Sequence, residues 1–201
     1  MRGWLALLIG IVGAIVVTAV LAGVSGGRDH TGDTVRASQW ADASCGAVGA
    51  WAGDLKAIRD EYQRNSYAAR QNDGGSGDSV EEAFTLRDAV NRAIRATEDT
   101  LQEGLKRAGN PDVSQGQQAS AMLLAWAQRT EHNLRVAKQQ LKHRPRSVTE
   151  AYSLLVTQAT ALAQSLQQGR AAFTQVASLD PALSDAFDGS RNCTELKENL
   201  P

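Results

Sequence analysis

The sequence predicts an all-α protein: an up-down-up-down four-helix bundle outside the membrane, preceded by one N-terminal transmembrane helix and followed by a short helical tail tied back by a disulfide. Three observations carry this expectation. Residues 3–27 hold no charge. From about residue 35 onward apolar residues recur with a helical period, and no strand alternation interrupts it. Two cysteines, Cys45 and Cys193, bracket that periodic region.

The apolar segment comes first. Trp4–Val24 contains 21 residues, about 31 Å as a helix and close to the thickness of a bilayer's hydrocarbon core. A signal peptide has a shorter apolar core, of about 7–15 residues, so length favours an uncleaved anchor. Val20 and Ala22 would serve as the small residues of a cleavage site in the competing reading. Both readings place residues 28–201 outside the cell, with 1–3 as a cytoplasmic stub and 25–34 as a juxtamembrane linker. The expected location is the cell membrane, single-pass, with the C-terminal domain extracytoplasmic. Within the span Ala6, Gly10, Ala14, Thr18 and Ala22 recur every fourth residue. Such a stripe lets two membrane helices approach closely, so it offers a homodimer contact.

Four amphipathic helices follow, over 35–178. The first runs from Val35 to Tyr67, with Val48, Trp51, Leu55, Ile58 and Tyr62 alternating steps of three and four. The second spans Val80–Ala108, marked by Phe84, Val90, Ile94, Leu101 and Leu105, with Ser79 and Glu82 as a capping box. The third covers Val113–Leu141 through Ala119, Leu123, Trp126, Thr130, Leu134 and Ala137. The fourth starts at Val148, behind a Ser147–Glu150 capping box, and carries Tyr152, Leu155, Leu162, Leu166, Gly169, Phe173 and Val176. Residues 71–79, Asn110-Pro111-Asp112 and Arg144-Pro145-Arg146 break the period. Asp60–Arg64, Asp88–Arg92, Glu103–Arg107 and Glu131–Arg135 are spaced for i,i+4 pairing on solvent faces, each worth about 0.2–0.5 kcal/mol.

The tail, 179–201, opens with Asp180-Pro181, a cap followed by a first-turn proline. An exported chain with two cysteines most simply pairs them. A Cys45–Cys193 bond would close so long a loop that chain entropy gives about 5 kcal/mol as its ceiling. The tail must then lie back along the first helix. Gly46, Gly49 and Gly53 lie beside Cys45 at helical spacing, and each costs a helix about 1 kcal/mol. They suggest a flat groove in which the tail docks.

Chemistry is sparse. Gly23-Val24-Ser25-Gly26-Gly27 fits a G-x-S-x-G string but lacks the strand-to-helix context of a nucleophile elbow. His30, His132 and His143 are scattered, with no Glu-x-x-His pair for a metal bundle. Glu98, Asp99 and Glu103 read as surface carboxylates beside Arg95 and Arg107, and Asn192-Cys193-Thr194 fits a glycosylation sequon whose middle residue is a cysteine. No cofactor, metal or catalytic group is expected. The 21 basic and 22 acidic residues give no field for nucleic acid. The uneven feature is Lys138, Lys142, His143, Arg144 and Arg146 at one tip, a candidate site for an anionic wall polymer or an acidic envelope protein. Core-facing Thr97 and Thr130 are the polar residues that would line a pocket, were one present.

Trp51-Ala52-Gly53 matches the W-x-G turn of small secreted helical hairpins, yet the apolar rhythm runs straight through it and excludes a turn there. The anchor, Trp40…Cys45…Trp51 and the late Cys193-x-x-Leu196 resemble uncharacterised single-pass or secreted helical envelope proteins of high-GC Gram-positive bacteria. That resemblance implies a non-catalytic binding or scaffolding module of the cell envelope. A sensory ligand-binding bundle that signals through a partner is the alternative.

Overall fold

The structure, a computed structural model, describes residues 34–72, 79–141 and 148–199. The predicted span, its small-residue stripe and most of the linker lie outside these residues. Among the described residues no helix is long and apolar enough to cross a membrane.

Nearly all of the described chain is helical. Helix α1 (Ala37–Asn72) presents Trp40, Cys45, Val48, Trp51 and Leu55 to the core, the stripe its periodicity predicts. It passes without a break through Trp51-Ala52-Gly53. Its start is fixed by a two-residue parallel pairing, β1 (Thr34–Val35) on β2 (Asn110–Pro111), and by the Asp112 amide donating to the Val35 carbonyl at 2.7 Å. This pairing displaces the predicted helix start by two residues.

The second predicted helix divides into α2 (Ser79–Ala96), a π-helical stretch (Thr97–Gln102) and α3 (Glu103–Ala108). The widening begins at a threonine engaged twice. Thr97 Oγ1 donates to the Ala93 carbonyl at 2.8 Å and accepts from Trp51 Nε1 at 3.0 Å. A threonine that bonds back one turn competes with the helix's own ladder and bends it. Gly109, at φ 73°, turns the chain after α3, a conformation that costs glycine least. Its carbonyl accepts from both Trp40 Nε1 (3.0 Å) and Ser120 Oγ (2.7 Å).

Helices α4 (Gly116–Gln140) and α5 (Val148–Ala177) follow. Successive elements run antiparallel. Glu61 of α1 meets Arg92 of α2 while Trp40 meets Gly109. Glu98 meets Arg135 while Gly109 meets Ser120. Trp126 meets Ser165 while Gln115 meets Leu179. The start of α1, the α3–α4 turn and the end of α5 therefore share one end. Among the described residues α1 and α5 share almost no direct contact. The tail, two helices rather than one stripe, occupies that seam: α6 (Pro181–Gly189) touches both, and α7 (Arg191–Asn199) lies on α1. Asp180 caps α6 as expected, its carboxylate accepting from the Ala182 amide at 2.9 Å.

The surface ion pairs differ from the i,i+4 reading. Only Glu131–Arg135 forms as spaced, and Glu98 shares the same guanidinium. Arg92 crosses to Glu61 on α1 at 2.7 Å, Asp60 takes its neighbour Arg59, and Glu103 takes Lys106. Spacing within one helix could not show that a neighbouring helix offers a closer carboxylate. The Arg135 guanidinium, with Gln102 Nε2 at 2.7 Å, holds the Glu131 carboxyl below the usual carboxylate range.

Two outcomes follow from these contacts. Thr97→Val leaves the Trp51 indole N–H buried without an acceptor, so urea unfolding should show a loss of about 1–3 kcal/mol. Because the folded pKa of Glu131 is lowered, its stabilisation is complete above the ordinary carboxylate pKa and is lost as pH falls through the folded value. Glu131→Gln should therefore be less stable than the parent at neutral pH, and the difference should disappear in acid. Unfolding midpoints across a pH series measure this.

Candidate functional site

Four aromatic contacts link the helices into a circuit. Trp51 of α1 meets Trp126 of α4 edge-on, with ring centroids 5.8 Å apart. Trp126 meets Phe173 of α5 at 6.2 Å, and Phe173 meets Phe187 of α6 at 5.4 Å. Phe187 returns to α1 through Trp40 at 5.7 Å. Trp40–Phe187 is tilted, at 49°, and the other three are edge-to-face pairs, which contribute about 0.5–1.5 kcal/mol each beyond the area they bury. Trp126 also needs room on α5. Its Nε1 donates to the Ser165 carbonyl at 2.9 Å, and a Cβ on Gly169 would lie 2.5 Å from its ring. Gly169 is therefore the residue that admits the indole to the α5 backbone.

Four of these five rings, all but Trp40, border a cleft of about 410 Å³, within the range of small-molecule pockets. Val48 and Trp51 line it from α1, Trp126 from α4, and Leu166, Phe173 and Ala177 from α5. The roof is Phe187 of α6 with Cys193 and Leu196 of α7. Polar side chains gather on the same lining: Arg170 and Thr174 from α5, Ser184 and Asp188 from α6, and Lys197 from α7. Lys197 Nζ donates to Asp188 at 2.8 Å, and both side chains are largely exposed.

The predicted disulfide holds the roof. Cys45 and Cys193 are bonded, with Cα atoms 5.0 Å apart and a sequence separation of 148. Both cysteines line the cleft. Asp42, one turn earlier on α1, provides a second tie. Its carboxylate accepts from Ser190 Oγ at 2.8 Å and from the Asn192 amide at 3.4 Å, and its carbonyl accepts from Asn192 Nδ2 at 3.1 Å. Ser190 Oγ in turn caps α7 by accepting from the Cys193 amide at 3.2 Å.

The glycine groove needs correction. Only Gly46 faces the tail: a Cβ there would lie 3.1 Å from Asn192 Nδ2. Gly49 and Gly53 are exposed, with nothing within 4 Å of a Cβ. Counting glycines at three- and four-residue steps assumed a broad contact, whereas a nine-residue α7 crosses α1 over a short stretch. Thr97 and Thr130 are buried but do not line the cleft. Of the basic tip, Lys138 is half-buried in the last turn of α4, while Lys142, His143, Arg144 and Arg146 lie outside the described residues. Glu98 and Glu103 are ion-paired, so that cluster is divided between two cations. Among the described residues no group of three His, Cys, Asp or Glu side chains is placed to hold a metal ion.

Sequence reading identified Val48, Trp51, Trp126, Leu166 and Phe173 as core residues and missed that they border an opening. It also missed Asp42, Arg170, Asp188 and Lys197. Periodicity shows which face a side chain is on, not whether the opposite helix reaches it.

No protein-family model, curated protein or solved structure matches this chain.

Leucine at Gly46 should displace Asn192 and slow formation of the Cys45–Cys193 bond, whereas Gly49→Leu should oxidise normally and gain up to about 1 kcal/mol in helix stability. Thiol alkylation during oxidative refolding distinguishes the two.

Proposed function

We propose that this chain is a non-catalytic binding module of the cell envelope, carried outside the cell on its N-terminal apolar segment, and that the cleft is its ligand site. In this reading α1, α2 with α3, α4 and α5 are the four helices of an up-down-up-down bundle opened along the α1–α5 seam, with the tail as its lid. The observation that carries the reading is the cleft itself. Apolar walls with a few polar groups at the edge are the usual form of a small-molecule site. A packed scaffold would close the space between α1, α5 and the tail and leave no such volume. The cleft favours ligand binding over pure scaffolding, and so brings the sensory alternative, with output through a partner, closer to the leading one.

The test uses N-phenyl-naphthylamine, an uncharged fluorophore that brightens in apolar surroundings. The full chain is held in an amphipathic polymer rather than a detergent, whose tails would compete. Saturable binding is expected. Ala177→Phe and Leu196→Trp, which project bulk into the cleft from opposite walls, should each weaken it by about tenfold while leaving the unfolding midpoint close to the parent's. Equal binding by parent and both variants would refute the ligand site.

A further inference from the structure

Resting on that reading of the cleft, we infer that its ligand is an uncharged, largely apolar molecule with no hydrogen-bonding group on the part that enters. Burial sorts the lining into two sets. The buried walls include Val48, Trp51, Trp126, Phe187 and the Cys45–Cys193 bond. The polar side chains Arg170, Thr174, Asp188 and Lys197 are exposed, and Ser184 is half-buried, one turn before Asp188 on α6. Polar groups therefore stand where the cleft meets water, and its depth is apolar.

These buried side chains have no hydrogen bond left to offer. Trp51 Nε1 donates to Thr97 Oγ1 at 3.0 Å, and Trp126 Nε1 donates to the Ser165 carbonyl at 2.9 Å. Val48 and Phe187 have no polar side-chain atom, and the two sulfurs are bonded to each other. A ligand hydroxyl, amide or charge drawn into that depth gives up water and finds no replacement. The outer groups do not reward a charge either. Lys197 and Asp188 pair with each other at 2.8 Å, Thr174 Oγ1 donates to the Arg170 carbonyl at 3.0 Å, and Arg170 is itself engaged. An ion on the ligand would compete with those partners in exposed surroundings, where ion pairs are weak. What remains favourable is the removal of apolar surface from water, which a neutral molecule supplies without desolvating a charge. One polar group at the outer end is compatible, since it stays beside the exposed side chains.

Matched ligands test this: biphenyl, para-hydroxybiphenyl, para,para′-dihydroxybiphenyl and biphenyl-para-carboxylate, each displacing N-phenyl-naphthylamine from the full chain in the same polymer. Free ligand is set by equilibrium dialysis, and Leu196→Trp supplies the background taken up by the polymer. Biphenyl and its single phenol should displace the fluorophore within about threefold of each other, because one hydroxyl can stay outside. The bisphenol must carry a hydroxyl inward and should need at least about tenfold more. The carboxylate should do no better than the phenol. Asp188→Asn with Lys197→Gln, which removes the outer ion pair, should leave biphenyl displacement within about twofold of the parent. If the fluorophore binds and Leu196→Trp excludes it, yet the bisphenol equals biphenyl, the carboxylate is tenfold better than the phenol, or the double variant loses biphenyl, the neutral apolar ligand is refuted and the site stands. If the fluorophore never binds, the site itself is refuted.

Discussion

Trp40 and Trp51 leave α1 from different turns of the same helix, and the ring contacts between them pass through α4, α5 and α6 before returning. Among the described residues α1 and α5 are linked through these rings rather than by direct helix-on-helix contact. The geometry is stiff because both tryptophans are almost wholly buried and their N–H groups are committed. Trp40 donates to the Gly109 carbonyl and Trp51 to Thr97 Oγ1, so neither indole can rotate without stranding a buried donor. The acceptors of those two bonds lie where the second helical segment widens, at Thr97, and where it turns, at Gly109.

The polar interior is otherwise economical. Trp126 completes the set by donating to the Ser165 carbonyl, which places the α4–α5 register under the same control. Two buried hydroxyls, Ser44 Oγ and Thr130 Oγ1, have no hydrogen-bond partner. Ser44 sits next to Cys45, on the segment where α7 is fastened.

Much of this arrangement was legible in the sequence. The helical period over Val48, Trp51, Leu55, Ile58 and Tyr62 defined the buried face of α1, the prolines marked breaks, and Asp180-Pro181 marked the start of α6. The disulfide followed from the cysteine count and the expectation of export. What could not be read depends on distances between helices. Arg92 chooses Glu61 over Asp88 because α1 lies beside α2, and Gly49 turns out to face solvent because α7 is short. The cleft was illegible for the same reason. Its walls have the composition of a core, and an opening between core residues is a property of spacing.

A cleft with apolar walls tends to close, since collapse removes more apolar surface from water. Two features oppose that here. Phe173 and Phe187 meet at 5.4 Å and brace α5 against α6, so α5 cannot move toward α1 without driving one ring into the other. The roof cannot sink or swing away because α7 is fixed to α1 twice over, by the Cys45–Cys193 bond and by the hydrogen bonds that Ser190 and Asn192 make to Asp42. The covalent tie and the polar tie act on the same turn of α1. The bond that stabilises the fold by closing a long loop in the unfolded ensemble is also the constraint that holds α7 over the cleft. Stability of the tail and persistence of the cleft thus share one cause, the short segment Asp42–Cys45.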